Sequence, residues 1–169
     1  MPVVSNTSPI LNLAIVGRLD LLRLQFKQVI IPPAVVAELR TDTEFPGAST
    51  IREALESGWL TVVALRDANL ERALALELDE GEAGTIALAL ELRVSQVLMD
   101  ERDGRAKAEA MGLQPVGVLG ILLRAKSDRS IASVGDVLLM LRRDAGFFVT
   151  DDLAAAVLAE AGEIPPRTR

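Results

Sequence analysis

Short apolar, β-branched runs recur along the chain at Pro2 to Ser5, Val29-Ile30-Ile31, Leu60 to Leu65, Gln96 to Met99 and Pro115 to Val118, with stretches of helical period between them. Runs of this kind lack a polar alternate face, so they suit strands covered on both sides, and the intervening helices supply the cover. The pattern predicts an α/β fold: a central parallel sheet of four to five short strands flanked by helices in three layers. Length agrees with one domain, since a chain of 169 residues buries roughly 70% of its unfolded surface.

Local signals place the helices. Ser8 as N-cap with Pro9 at the first helical position starts a helix that Gly17 ends, and Leu19 to Leu24 forms another. Pro32-Pro33 stops the second strand, after which Ala34 to Arg40 returns to helix. Thr41 to Gly47 reads as a loop and Ser49 to Ser57 as a helix closed by Gly58. Asn69 to Leu78 and Glu82 to Leu92 are helical on either side of Asp79-Glu80-Gly81, and Arg102 to Met111 is a helix closed by Gly112. Beyond Lys126 to Ser130 come two amphipathic helices, about Val134 to Arg143 and Asp151 to Ala161, capped by Ser133 and Thr150 and followed by no strand. The expected division is residues 1–126 for the sheet domain and 127–169 for a helical extension packed on it.

Composition narrows the chemistry. The chain has no Cys and no His, so thiol nucleophiles, zinc knuckles, imidazole ligands and Ser-His-Asp triads are all excluded. Catalysis must come from carboxylates, hydroxyls, Lys or Arg, and a metal site must be built from oxygen, which suits Mg²⁺, Mn²⁺ or Ca²⁺. Eighteen basic against 24 acidic residues give −6, unlike a duplex-binding domain, and aromatic residues at 3% argue against a stacking platform for single strands. No apolar run has the length of a membrane span, and the N-terminus lacks the basic region of a signal peptide, so a soluble cytoplasmic protein is expected.

In open parallel sheets ligands bind beyond the carboxyl ends of the strands. Asn6 follows the first strand, Glu38 lies one turn into the helix after the second, Glu82 opens the helix of LDEGEAGTIALALEL, and Asp100 ends VLMD with Asp103 three residues on. Three separated carboxylates and an amide near one rim can hold a hard divalent cation that keeps several waters. Each also has a purely structural reading: Asp79 and Glu82 fit a capping box, Asp100 fits a helix cap, Glu38 a solvated charge and Asn6 a turn. Arg102, Arg105 and Lys107 follow on the next helix and read as a solvated face balanced by Glu101 and Glu109.

VVSNTSPILNLAIVGRLDLL, VIIPPAVVAELR and LDEGEAGTIALALELRVSQVLMDERDGRAKAEAMGLQPVGVLGILLRAK, in this order and spacing, resemble a PIN domain of the VapC-like branch. The tail GFFVTDDLAAAVLAEAGE is similar to the C-terminal helix this branch often adds, so the likeness runs from about residue 3 to 163. The resemblance implies a three-layer α/β fold and a metal-dependent endoribonuclease using one or two Mg²⁺ or Mn²⁺ ions, commonly the toxin of a type II toxin–antitoxin pair. It implies a small antitoxin protein as partner and favours a homodimer. Its acidic cluster carries over to Asn6, Glu38, Glu82 and Asp100, with Asp103 as an auxiliary and Thr7 and Ser8 placed to hydrogen-bond a ligating carboxylate. The first-strand position is usually Asp in that family, and Asn6 supplies a carbonyl donor without charge, so metal affinity should fall.

The implied reaction is hydrolysis of an RNA phosphodiester by metal-activated water, which needs no His, and it makes Arg102, Arg105 and Lys107 candidates for holding the RNA backbone as the alternative to a solvated face. Asn6 and the acidic total also motivate a catalytically silent PIN-like module that only binds protein or RNA. A phosphatase-like Mg²⁺ enzyme would want a nucleophilic Asp where Asn6 stands, and no GxxxxGK[ST] loop is present.

Overall fold

The computed structural model describes residues 1–163; the end of the expected helical extension, residues 164–169, lies outside the described residues. The element order is β1 (Val3–Ser5), α1 (Thr7–Ile15), α2 (Asp20–Phe26), β2 (Val29–Ile31), α3 (Pro33–Leu39), α4 (Ala48–Ser57), β3 (Leu60–Val62), α5 (Asn69–Leu74), α6 (Glu80–Leu92), β4 (Gln96–Leu98), α7 (Arg102–Ala110), β5 (Gln114–Val116), α8 (Val118–Ser127), α9 (Val134–Asp144) and α10 (Asp151–Glu160). All strand pairs are parallel and the sheet order is β3-β2-β1-β4-β5. The chain thus winds outward from β1 through β2 to β3, then returns to the other side of β1 for β4 and β5. The winding reverses between β1 and β4, where an open sheet leaves a crevice.

Strand periodicity sorts the core. Val3, Val29, Ile31 and Leu98 face one side, where α1, α2, α4, α8 and α9 bury Ile10, Leu22, Ile51, Ile121 and Leu141. Val4, Ile30, Val97 and Met99 face the other, against Leu74 of α5, Ile86 and Leu88 of α6 and Ala108 of α7. These two layers around the sheet make the three-layer α/β architecture. Among the described residues, no helix is long and apolar enough to cross a membrane.

Several boundaries differ from the sequence reading, each for a physical reason. The first helix starts at Thr7, with Asn6 rather than Ser8 in the N-cap position, so Pro9 falls third in the helix. That position still tolerates proline, because an N–H in the first turn has no intrahelical acceptor. The edge strand β3 ends at Val62 rather than Leu65: its partner β2 gives way to Pro32, which has no N–H to extend a ladder. The helix from Asn69 stops at Leu74 instead of Leu78, its ladder tightening to i−3 bonds from the Leu76 and Glu77 N–H groups, and the Asp79–Glu82 capping box starts α6 at Glu80 instead of Glu82. Ser133 and Thr150 do cap their helices, accepting from the N–H of Asp136 at 3.1 Å and of Leu153 at 3.2 Å.

Two close approaches fix the helical layer. Glu163 accepts from the Val134 and Gly135 N–H groups at 2.7 and 3.0 Å and from the Ser133 hydroxyl at 3.0 Å, with Lys126 at 3.5 Å, tying the end of the described chain to the start of α9. Gly47, at the N-cap of α4, has φ +94°, and a Cβ there would lie 2.6 Å from the backbone carbon and oxygen of Ala14 in α1. Neither backbone can yield without moving a helix. Gly47→Ala is therefore expected to destabilise the fold by about 3 kcal/mol, combining overpacking with left-handed strain; urea unfolding measures it, and an unchanged midpoint would contradict this packing.

Candidate active site

The carboxyl ends of β1 and β4 meet at the reversal of winding, where the Asn6 N–H donates to the Leu98 carbonyl at 2.9 Å. Asn6 is 3% exposed and occupies the N-cap position of α1, yet its side chain makes no capping bond, and its Oδ1 is buried with no hydrogen-bond partner among the described residues. Glu38, projected from α3, accepts a hydrogen bond from the Thr7 hydroxyl. Asn6 and Glu38 are brought together by Gly81: a Cβ at that position would stand 2.8 Å from Asn6 Oδ1 and 2.7 and 2.8 Å from the two Glu38 oxygens. Only glycine lets the first turn of α6 lie against both.

Glu82, one residue on, is 6% exposed. It forms the reciprocal capping box expected of its sequence: its N–H donates to Asp79 Oδ1 at 2.7 Å and its Oε2 accepts from the Asp79 N–H at 3.2 Å. The box leaves Oε1 directed at Gly104 of α7, where a Cβ would come within 3.1 Å. Burial holds the Glu82 carboxyl above its ordinary range, as does the Asp79 charge; the Asp79 N–H opposes them, and the charges of Glu101 and Asp103 add to the rise. Capping and a functional role thus share one side chain.

Asp100 does not cap the helix that follows it. Glu101 takes that N-cap position, while Asp100 Oδ1 accepts from the Val118 N–H at 2.8 Å and so caps α8, eighteen residues away. Its Oδ2 is buried with no partner among the described residues. Burial pushes the Asp100 carboxyl up to about 6, with Val118 N–H and Arg105 lowering it and Glu101 raising it. Arg105 Nη1 donates to the Met99 carbonyl at 3.0 Å, and Gly117 makes room for both Asp100 and Arg105.

The remaining sequence candidates lie further out. Asp103 is exposed on α7 and acts on Glu82 through its charge. Arg102 is exposed on the same helix. Lys107 is paired with Glu77, not with Glu101 or Glu109 as the balanced-face reading had it, so its charge is already engaged. Glu101 is the residue the sequence reading passed over: its charge bears on both Glu82 and Asp100, and the Ser8 hydroxyl donates to it at 3.3 Å. No local signal singles it out, because the shorter Asp100 is the better cap by sequence and Glu101 takes the N-cap position only where Asp100 turns to Val118. The glycines at 81, 104 and 117 were informative, because glycine in or beside a helical run marks a close approach.

The whole arrangement sits at the switch point of a three-layer parallel fold, and residues 2–163 match the DUF3368 family, described as a PIN domain. The chain belongs to the PIN-domain family. PIN domains are nucleases as a class and typically depend on a divalent metal, so nuclease chemistry is the general expectation for this one. No curated protein matches the sequence. The donors fit a hard cation in kind: every one is oxygen, and Asn6 Oδ1 and Asp100 Oδ2 are buried without partners. Among the described residues, no three carboxylates are gathered closely enough to hold an ion by themselves.

The raised Asp100 pKa sets a pH dependence for the metal-free PIN domain. A folded-state value of about 6 against 3.8 for the free group means that the native protein binds the extra proton, so stability falls as pH rises from about 4 to 6. The full penalty above that window is on the order of 3 kcal/mol. Asp100→Asn should raise the melting temperature in chelator at pH 8, with the gain shrinking towards pH 4; a gain independent of pH would contradict it.

Proposed function

We propose that this PIN domain is a metal-dependent endoribonuclease that hydrolyses RNA phosphodiester bonds, with Glu38, Glu82 and Asp100 as its acidic residues and Asn6 as a neutral donor. The observation that carries the reading is the pair of buried, unpartnered oxygens, Asn6 Oδ1 and Asp100 Oδ2, at the ends of the two strands that flank the switch point. A buried oxygen without a hydrogen bond costs about 1–3 kcal/mol, a cost that a cation ligated there would offset. Asp103 and Glu101 stand at the rim as auxiliaries.

A bound Mg²⁺ or Mn²⁺ would supply a water of lowered pKa and neutralise charge gathering on the phosphoryl oxygens. The protein's own residues do the rest. Thr7 orients Glu38, the Asp79 N–H orients Glu82, and the Val118 N–H orients Asp100, so each carboxylate has one oxygen engaged and one available. Arg105, held by the Met99 carbonyl beside Asp100, is the cation proposed to contact the RNA at the acidic site. Loss of its charge would weaken the grip on the scissile phosphate.

The finer role proposed is the toxin of a type II toxin–antitoxin pair, cytoplasmic, acting as a homodimer and neutralised by a small antitoxin. Support comes from the likeness of the whole chain, helical tail included, to the VapC-like branch. Residues 127–169 are proposed as an extension of the PIN domain of residues 1–126, since Val134, Val137, Leu141 and Val157 share a core with β1 and β2.

Cleavage of labelled RNA in Mn²⁺ tests the reading. Glu38→Gln, Glu82→Gln and Asp100→Asn should each lower the rate by on the order of 100-fold, and equal cleavage by wild type and variants would remove the assignment. Gly81→Ala adds a Cβ between Asn6 and Glu38, and should weaken Mn²⁺ stabilisation of the fold while leaving every acid in place. Asn6→Asp should tighten Mn²⁺ binding. If wild-type protein neither cleaves nor gains stability from Mn²⁺, the silent binding module is the correct reading.

A further inference from the structure

Among the described residues, the buried polar side chains are Ser5, Asn6, Glu82 and Thr85. All four fall where the end of β1 meets the first turns of α6. Asn6 and Glu82 belong to the acidic site, whereas Ser5 and Thr85, both 0% exposed, have no part in the chemistry proposed for it. Hydroxyls in a core are costly unless hydrogen-bonded, so their partners show what they are for.

Those partners converge on Asn6 and Gly81. The Ser5 hydroxyl donates to the Asn6 carbonyl at 2.8 Å. The Thr85 hydroxyl, one turn along α6 from Gly81, lies 2.7 Å from the Gly81 carbonyl and 3.3 Å from the Ser5 carbonyl. A threonine within a helix readily bonds the carbonyl four residues back. Its reach to a strand residue eighty positions away is not a local effect. With the Asn6 N–H on the Leu98 carbonyl, the backbone groups around the Asn6 Cα are all engaged: the carbonyl before it, its own N–H and its own carbonyl. Its Oδ1, by contrast, has no partner among the described residues. Thr85 bears on the rest of the site through Gly81, the residue at which a Cβ would strike both Asn6 Oδ1 and the Glu38 carboxylate, and which Glu82 directly follows.

We propose that Ser5 and Thr85 are positioning residues that lock the end of β1 to the first turn of α6, and that the fixed spacing of Asn6, Glu38 and Glu82 makes the site prefer Mg²⁺ to Ca²⁺. The proposal rests on the metal-dependent reading of the site and adds what sets its choice of ion. Mg²⁺ demands nearly octahedral donors at about 2.0–2.1 Å, whereas Ca²⁺ accepts a looser set at about 2.3–2.6 Å. A pair of hydroxyls that stops strand and helix from drifting apart therefore favours the smaller ion. Hydroxyls that served stability alone would, when removed, affect both ions alike.

The test is Mn²⁺ binding to the full chain, read from the electron paramagnetic resonance signal of the free ion, with Mg²⁺ and Ca²⁺ as competitors. Thr85→Val keeps the shape of the side chain and removes its hydroxyl. It should weaken Mg²⁺ binding roughly tenfold, the lower end of what a partner outside the ligand shell is worth, and leave Ca²⁺ within about twofold of wild type. Thr85→Ser, which keeps the hydroxyl, should retain the wild-type ratio of Mg²⁺ to Ca²⁺ affinity. Ser5→Ala should shift that ratio in the same direction as Thr85→Val, and it decides the question where urea unfolding in chelator shows that Thr85→Val does not fold. Wild-type Mg²⁺ affinity in Thr85→Val overturns the proposal, and so does equal weakening of both ions. Wild type that binds Mn²⁺ while every variant matches it sinks the positioning role alone, whereas wild type that leaves the free-ion signal unchanged removes the metal-dependent reading beneath it.

Discussion

The reversal of winding between β1 and β4 is the constraint on which the rest depends. One backbone hydrogen bond, from Asn6 to the Leu98 carbonyl, closes the ladder there and sets the ends of both strands side by side. Beyond the two strand ends lie not further strands but the first turns of α6 and α8, whose backbone reaches the polar side chains there. Polar residues that would be costly within the sheet become tolerable at its end. The positions of Asn6 and Asp100 follow from topology before any question of catalysis arises.

Around that crevice, glycine does what side chains cannot. Gly81, Gly104 and Gly117 each bring a backbone within reach of a polar side chain, of Asn6 and Glu38, of Glu82, and of Asp100 with Arg105 respectively. Close packing shields the acids from water and drives the carboxyls of Glu82 and Asp100 above their ordinary range. Burial and orientation come from the same contacts: the N–H groups that fix these carboxylates also begin α6 and α8. Site and scaffold are therefore not separable parts of this chain.

How much of this was legible in sequence depended on range. The parallel α/β fold was readable because β-branched runs and helical periods are local signals. The Asp79–Glu82 capping box was readable for the same reason, as its members are three residues apart. Asp100 was placed at a strand end, but its true hydrogen-bond partner, Val118, becomes its neighbour only when β5 pairs with β4. Ser8 looked the better cap locally, yet the strand pairing of Asn6 draws the helix start back to Thr7. The Lys107–Glu77 pair joins α7 to the turn before α6, which no local rule foretells.

Asn6 has a further consequence for the economy of the fold. An aspartate in that buried position would add a like charge close to Glu38, with no basic side chain among the described residues bonded to either. Like charges forced together in a desolvated site oppose folding whenever no counter-ion is bound. With an amide instead, the empty protein carries less internal repulsion and the newly made chain is less dependent on metal to reach its native state. The substitution trades grip on a cation for independence from it during folding.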